Sequence, residues 1–136
     1  MHRRTFIATS TAFLTAGPAL AGVGKAYKPG LVKNQLAAGK TVFIDFYTDW
    51  CSTCRSQERT INALKAANPD YEANISFVAV DWDQYSRSKL AKQLSIPRRS
   101  TLVVLKGETE IGRIVAGTGK AEIKALMDAA LSEAVA

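Results

Sequence analysis

The sequence predicts an α/β domain, a central mixed sheet of about four strands flanked by helices. Three observations carry that expectation. The run from Thr41 to Tyr47 is β-branched and aromatic, as a strand buried on both faces should be. A helical pattern follows it, and a second apolar run, Ile75 to Val80, follows the helix; strands joined through a helix lie parallel. Finally, Leu102 to Leu105 and Ile111 to Val115 flank Lys106-Gly107-Glu108-Thr109, which reads as a hairpin turn.

In chain order, residues 1–21 read as an export signal rather than part of the fold. Arg3-Arg4 precedes a moderately apolar run from Phe6 to Leu20, and Ala19-Leu20-Ala21 is a small-x-small cleavage site, so Gly22 would begin the mature domain, residues 22–136. Arg3-Arg4-Thr5-Phe6-Ile7 resembles the bacterial twin-arginine motif, which exports folded cargo; a general secretory signal is the alternative. The apolar run is too short and too polar to span a membrane.

The mature domain is expected to begin with a helix from about Lys28 to Ala38, ended by Gly39. After the strand at Thr41, a helix runs from about Thr53 to Asn68, where Pro69 stops it. Asp83 to Leu94 reads as one polar helix capped near Asp83 or Ser86. A last helix, Lys120 to Ala134, carries Ile123, Leu126, Met127 and Leu131 on one face.

The strand-to-helix junction holds the chemistry: Asp49-Trp50-Cys51-Ser52-Thr53-Cys54. Cys51 there meets the unpaired N–H groups and positive end of a helix, which favour a thiolate and place it exposed at the helix start. Cys54 lies one turn on, within reach of a disulfide. A structural staple is the weaker reading, since a four-residue loop is worth about 2 kcal/mol against about 3 for fifteen residues. Half of a zinc site would need further ligands, but the chain has no third cysteine and its one histidine, His2, leaves with the signal. Loss of His2 also excludes Cys-His pairs and Ser-His-Asp triads from the mature domain, and no glycine-rich phosphate loop or dinucleotide fingerprint is present. The formal charge of +6 falls to +4 without Arg3 and Arg4, too small and scattered an excess for nucleic acid.

From Val42 to the C-terminus the chain resembles the thioredoxin family, most specifically at Phe46-Tyr47-Thr48-Asp49-Trp50-Cys51-Ser52-Thr53-Cys54. It is similar to exported reductive members, including the C-terminal thioredoxin-like domain of the transmembrane carrier of reducing equivalents into the periplasm. The resemblance implies that Cys51 attacks, Cys54 resolves the mixed disulfide and Trp50 shields the pair. It places Asp45 as the buried acid beneath them, and matches Glu58 to an acid of that periplasmic subgroup. Burial itself would raise the Asp45 carboxyl toward neutral pH, and Glu58 can share a helix face with Cys54.

One departure concerns the groove. The family carries a cis-proline immediately before a strand like Thr101-Leu102-Val103-Val104-Leu105; here Ser100 occupies that position, after Arg99, and Pro97 stands three residues earlier. A cis bond before a residue other than proline costs roughly 3 to 4 kcal/mol, so a trans Arg99-Ser100 bond is expected, with Ser100 beside Cys51. Trp50, Arg99, Ser100 and Thr101 are the expected substrate contacts. The reading is thus a periplasmic, monomeric reductase of protein disulfides, without cofactor or metal, recharged by a membrane-bound thiol carrier. Its alternatives are a disulfide donor using the same residues and a module that holds Cu(I) between two thiolates.

Overall fold

The computed structural model describes residues 20–136. The arginine pair and most of the expected signal lie outside the described residues. Strand β1 (Leu20–Ala21) pairs antiparallel with β2 (Gly24–Ala26), and helix α1 (Leu31–Ala37) follows. Strand β3 (Thr41–Tyr47) leads into α2 (Ser52–Ala67) and α3 (Pro69–Asn74), then β4 (Ile75–Asp81). Two short helices, α4 (Trp82–Tyr85) and α5 (Lys89–Gln93), precede the hairpin of β5 (Thr101–Lys106) and β6 (Thr109–Val115), and α6 (Lys120–Val135) closes the fold.

The sheet order is β1-β2-β4-β3-β5-β6. The four expected strands form its centre and one edge, with β3 parallel to β4 and antiparallel to β5. Val42, Ile44 and Phe46 alternate onto the layer that also holds Val32, Ala91 and Ile96, whereas Phe43 packs with Ile61, Ile123 and Met127 on the other. Period-two alternation therefore puts Asp45 on the Phe43 face, toward α2 and α6. In α2 the buried residues are Cys54, Gln57, Ile61 and Leu64, one stripe at helical spacing. Among the described residues no helix is long and apolar enough to cross a membrane.

Several boundaries differ from expectation. Pro69 does end α2, but it also starts α3 at the position where its missing N–H costs nothing, and the Asn68 side chain caps it by accepting from the Asp70 N–H at 3.1 Å. The single helix expected over Asp83 to Leu94 is two, because Ser88 leaves helical geometry and caps α5 through the Ala91 N–H at 3.1 Å. The first cap is Asp81, whose carboxylate accepts from the Asp83 N–H. Helix α1 begins at Leu31, after Pro29 and Gly30, rather than at Lys28. On α6, Ala130 is buried and Leu131 only partly so.

Strand β2, Gly-Lys-Ala, carries no apolar alternation. Strand β2 is held instead by close approach: a Cβ on Gly24 would lie 2.3 Å from the Phe77 carbonyl oxygen. Gly24→Ala should therefore force β2 off β4 and destabilise the domain by about 1–3 kcal/mol, read as a lower thermal unfolding midpoint. An unchanged midpoint would show that β2 contributes no stability.

Candidate active site

Cys51 is the N-cap of α2, in extended geometry, and its sulfur accepts from the Cys54 backbone N–H at 3.2 Å. The expected exposure of Cys51 is not met: it is 5% exposed and Cys54 2%, because the loop before β5 closes over both. That loop brings Ser100 Oγ to 3.3 Å from Cys51 Sγ and 3.0 Å from Cys54 Sγ. One hydroxyl thus touches both sulfurs, and the cysteines are free thiols. Ser100 stands where the sequence placed it, with no cis peptide among the described residues, and Pro97 is exposed.

The loop is over-determined. Ser100 holds a left-handed φ of 61°, unusual for a residue with a side chain. Its N–H donates to the Phe46 carbonyl at 2.7 Å, and its carbonyl accepts from the Ala116 N–H and from Gln57 Nε2, each at 2.9 Å. Gln57 Nε2 also donates to the Gly117 carbonyl at 2.9 Å, so this buried amide ties α2 to the loops on both sides of the hairpin. Thr101 is buried and donates from its hydroxyl to the Arg98 carbonyl at 2.7 Å. Gln57 was not singled out by sequence, though a polar residue in register with Cys54, Ile61 and Leu64 is a legible signal.

Burial opposes ionisation of Cys51, yet the Cys54 thiol, the Ser100 hydroxyl, the Cys54 N–H and the nearby Arg99 outweigh it, bringing the thiol from 9.0 down to about 6. Cys54 moves the other way: burial raises it, and its bond to Cys51 adds to the rise. Beneath them Asp45 is almost wholly buried, and its Oδ1 has no hydrogen-bond partner. Burial first, then the charges of Glu58 and Cys51, push its carboxyl up to about 8. No hydrogen bond joins Asp45 to Cys54 among the described residues, and Glu58 is half-buried on α2.

At the rim Trp50 is 60% exposed, and its indole N–H donates to Asp83 Oδ2 at 2.9 Å. The Arg99 guanidinium lies 4.3 Å from the Trp50 ring centroid. The Asp83 contact and this stack are long-range, between residues whose types alone gave no reason to pair them. Among the described residues no group of three or more His, Cys, Asp or Glu side chains could hold a metal ion.

The thioredoxin family model matches residues 26–129 of this chain. The chain belongs to the thioredoxin family. It is 29% identical over 114 residues to mitochondrial thioredoxin-2 of Schizosaccharomyces pombe, covering 84% of this chain and 80% of that protein. To the thioredoxin of Echinococcus granulosus it is 30% identical over 90 residues, 66% of this chain and 78% of that one. The crystal structure of Trxlp from Edwardsiella tarda is similar with a TM-score of 0.63 at 26% identity, over 76% of this chain and 93% of that one. The protein is accordingly a thiol-disulfide oxidoreductase, with Cys51 and Cys54 as its Cys-x-x-Cys pair.

Two outcomes follow from the electrostatics. Ser100→Ala removes a donor to a charged sulfur, so the Cys51 thiolate, followed by its ultraviolet absorbance, should titrate higher by about one pH unit. An unmoved titration would show that the hydroxyl serves Cys54 alone. For Asp45, the folded state keeps a proton that the unfolded chain releases at 3.8, so stability is lost as pH rises from about 4 toward about 8. Cys51 acts with opposite sign between about 6 and 9, leaving the lower window to Asp45. Asp45→Asn should therefore be more stable than the native protein by an amount that grows between pH 4 and 6 in urea titrations. A difference independent of pH would contradict the assignment.

Proposed function

We propose that the protein is an exported reductant of protein disulfides acting in the periplasm. The observation that carries the direction is the Cys51 thiol at about 6, beside a carboxyl that holds its proton to about 8. Attacking thiols of reducing members titrate near about 7, and those of a strong oxidant near about 3.5, because extreme thiolate stability favours the reduced form. Cys51 lies nearer the first.

The Cys51 thiolate attacks one sulfur of a substrate disulfide, forming a mixed disulfide and expelling one substrate thiolate. Cys54 then loses its proton, with Asp45 carboxylate as the base, and attacks the Cys51 sulfur. The second substrate thiol leaves, the Cys51–Cys54 disulfide closes, and two electrons have passed to the substrate. Glu58 assists by raising the proton affinity of Asp45. Trp50 and Arg99 form the surface against which the substrate lies, whereas Ser100 and Thr101, expected beside them, are fully buried behind it. Because each turnover leaves the pair oxidised in an oxidising compartment, a membrane-bound thiol carrier must recharge it.

Export is supported by Arg3-Arg4, the apolar run and Ala19-Leu20-Ala21. Cleavage after Ala21 would remove β1 and leave β2 as the sheet edge. The division of labour is tested by substitution: Cys51→Ser should abolish reduction of insulin disulfides, whereas Cys54→Ser should accumulate mixed disulfides with substrate. Equal trapping by both would overturn the roles. Arg3→Lys with Arg4→Lys should stop periplasmic delivery, and mature protein should begin at Gly22. Normal export of that variant would point to the general secretory route, and a mature chain beginning at Met1 would reject the signal.

A further inference from the structure

The Trp50 rim carries three guanidinium groups, of which Arg99 also helps to hold the Cys51 thiolate. Arg99 is stacked on Trp50, which Asp83 fixes in turn, and its Nε is buried without a hydrogen-bond partner. Arg98 Nε donates to the Arg99 carbonyl at 3.0 Å. Across the rim, Arg55 reaches the carbonyl of Asp49 from Nε and Nη2 at 3.0 and 2.7 Å. Among the described residues no salt bridge engages Arg55, Arg98 or Arg99. Asp83 accepts from the Trp50 indole and Asp49 gives Arg55 only its backbone carbonyl, so neither acid forms an ion pair with these groups.

We propose that Arg99, flanked by Arg98 and Arg55, selects disulfides that carry a carboxylate one or two residues from the attacked cysteine. A guanidinium held flat on an aromatic face loses little further freedom when it binds, and its planar fork matches a carboxylate with two parallel bonds. Geometry sets the reach. A substrate sulfur in line with Cys51 brings its flanking chain past Trp50, and each extended residue advances about 3.3–3.6 Å, so an acid next to the half-cystine arrives at the Arg99 edge. A lysine at the same place meets the like charge of the guanidinium groups. This selectivity rests on the reductase reading only for the direction of electron flow.

The test uses peptides with one disulfide, identical except for Glu, Gln or Lys beside the attacked cysteine. Reduced full-length protein should process the Glu peptide with kcat/KM about fivefold above the Gln peptide, with Lys lowest, as for a partly desolvated ion pair. The order should flatten in about 0.5 M salt. Arg99→Gln should bring the Glu-to-Gln ratio to about one, and Arg99→Glu should make Lys the preferred neighbour. A ratio of one in the native protein overturns the proposal. So does an Arg99→Gln variant that slows all three peptides equally, since Arg99 would then act only on Cys51. If that variant fails to fold, Arg98→Gln takes its place, and an unchanged ratio there, with no salt dependence in the native protein, overturns the proposal equally. The same peptides offered as dithiols to the oxidised protein separate the two readings: turnover in that direction alone would sink the reductant role, while the charge ratio still decides the selectivity.

Discussion

The hydrogen bond from the Ser100 N–H to the Phe46 carbonyl is the constraint on which the site depends. It clips the loop before β5 to the end of β3, one residue short of the turn that delivers Cys51 to the start of α2. Ser100 accepts a backbone conformation that costs of order 1–3 kcal/mol for a residue with a side chain, and the bonds from Ala116 and Gln57 hold it there. The return is a hydroxyl fixed against both sulfurs. Without the clip, Cys51 would keep only the thiol and N–H of Cys54, and Arg99 would lose its seat on Trp50.

The same crowding governs charge. The Cys51 thiolate and burial both make the Asp45 anion less favourable, so near neutral pH the sulfur carries the charge and the carboxyl keeps its proton. When Cys51 becomes part of a mixed disulfide its negative charge disappears. The repulsion on Asp45 then falls and its carboxylate form becomes easier to reach, at the moment when Cys54 has a proton to lose. In the proposed mechanism the first chemical step thereby prepares the base for the second. Glu58, half-buried along α2, adds to the rise of the Asp45 carboxyl.

Much of this was legible in the chain because the signals are local. A run of β-branched and aromatic residues ending in a cysteine pair specifies β3, the helix start and the thiolate, and Ser100 could be placed by the strand that follows it. The carboxyl of Asp45 could be read as perturbed simply because it interrupts an apolar strand. What escaped was set by contacts between distant residues. Strand β2 lacks apolar alternation and exists because Gly24 can approach Phe77. Pro69 reads equally as a stop and as a start, and only the Asn68 cap decides between them. The closure that buries Cys51, the two hydrogen bonds donated by Gln57 and the stack of Arg99 on Trp50 all depend on where the loop at Ser100 comes to rest.

The central claim is that this arrangement stabilises the Cys51 thiolate enough to attack, but not enough to make the reduced form a sink for electrons. The reduction potential of the Cys51–Cys54 pair, measured at equilibrium against glutathione, tests it most directly. A value near about −270 mV is expected for a reductant, whereas a donor lies near about −120 mV. A potential above roughly −160 mV would contradict it and turn the same residues into a source of disulfides.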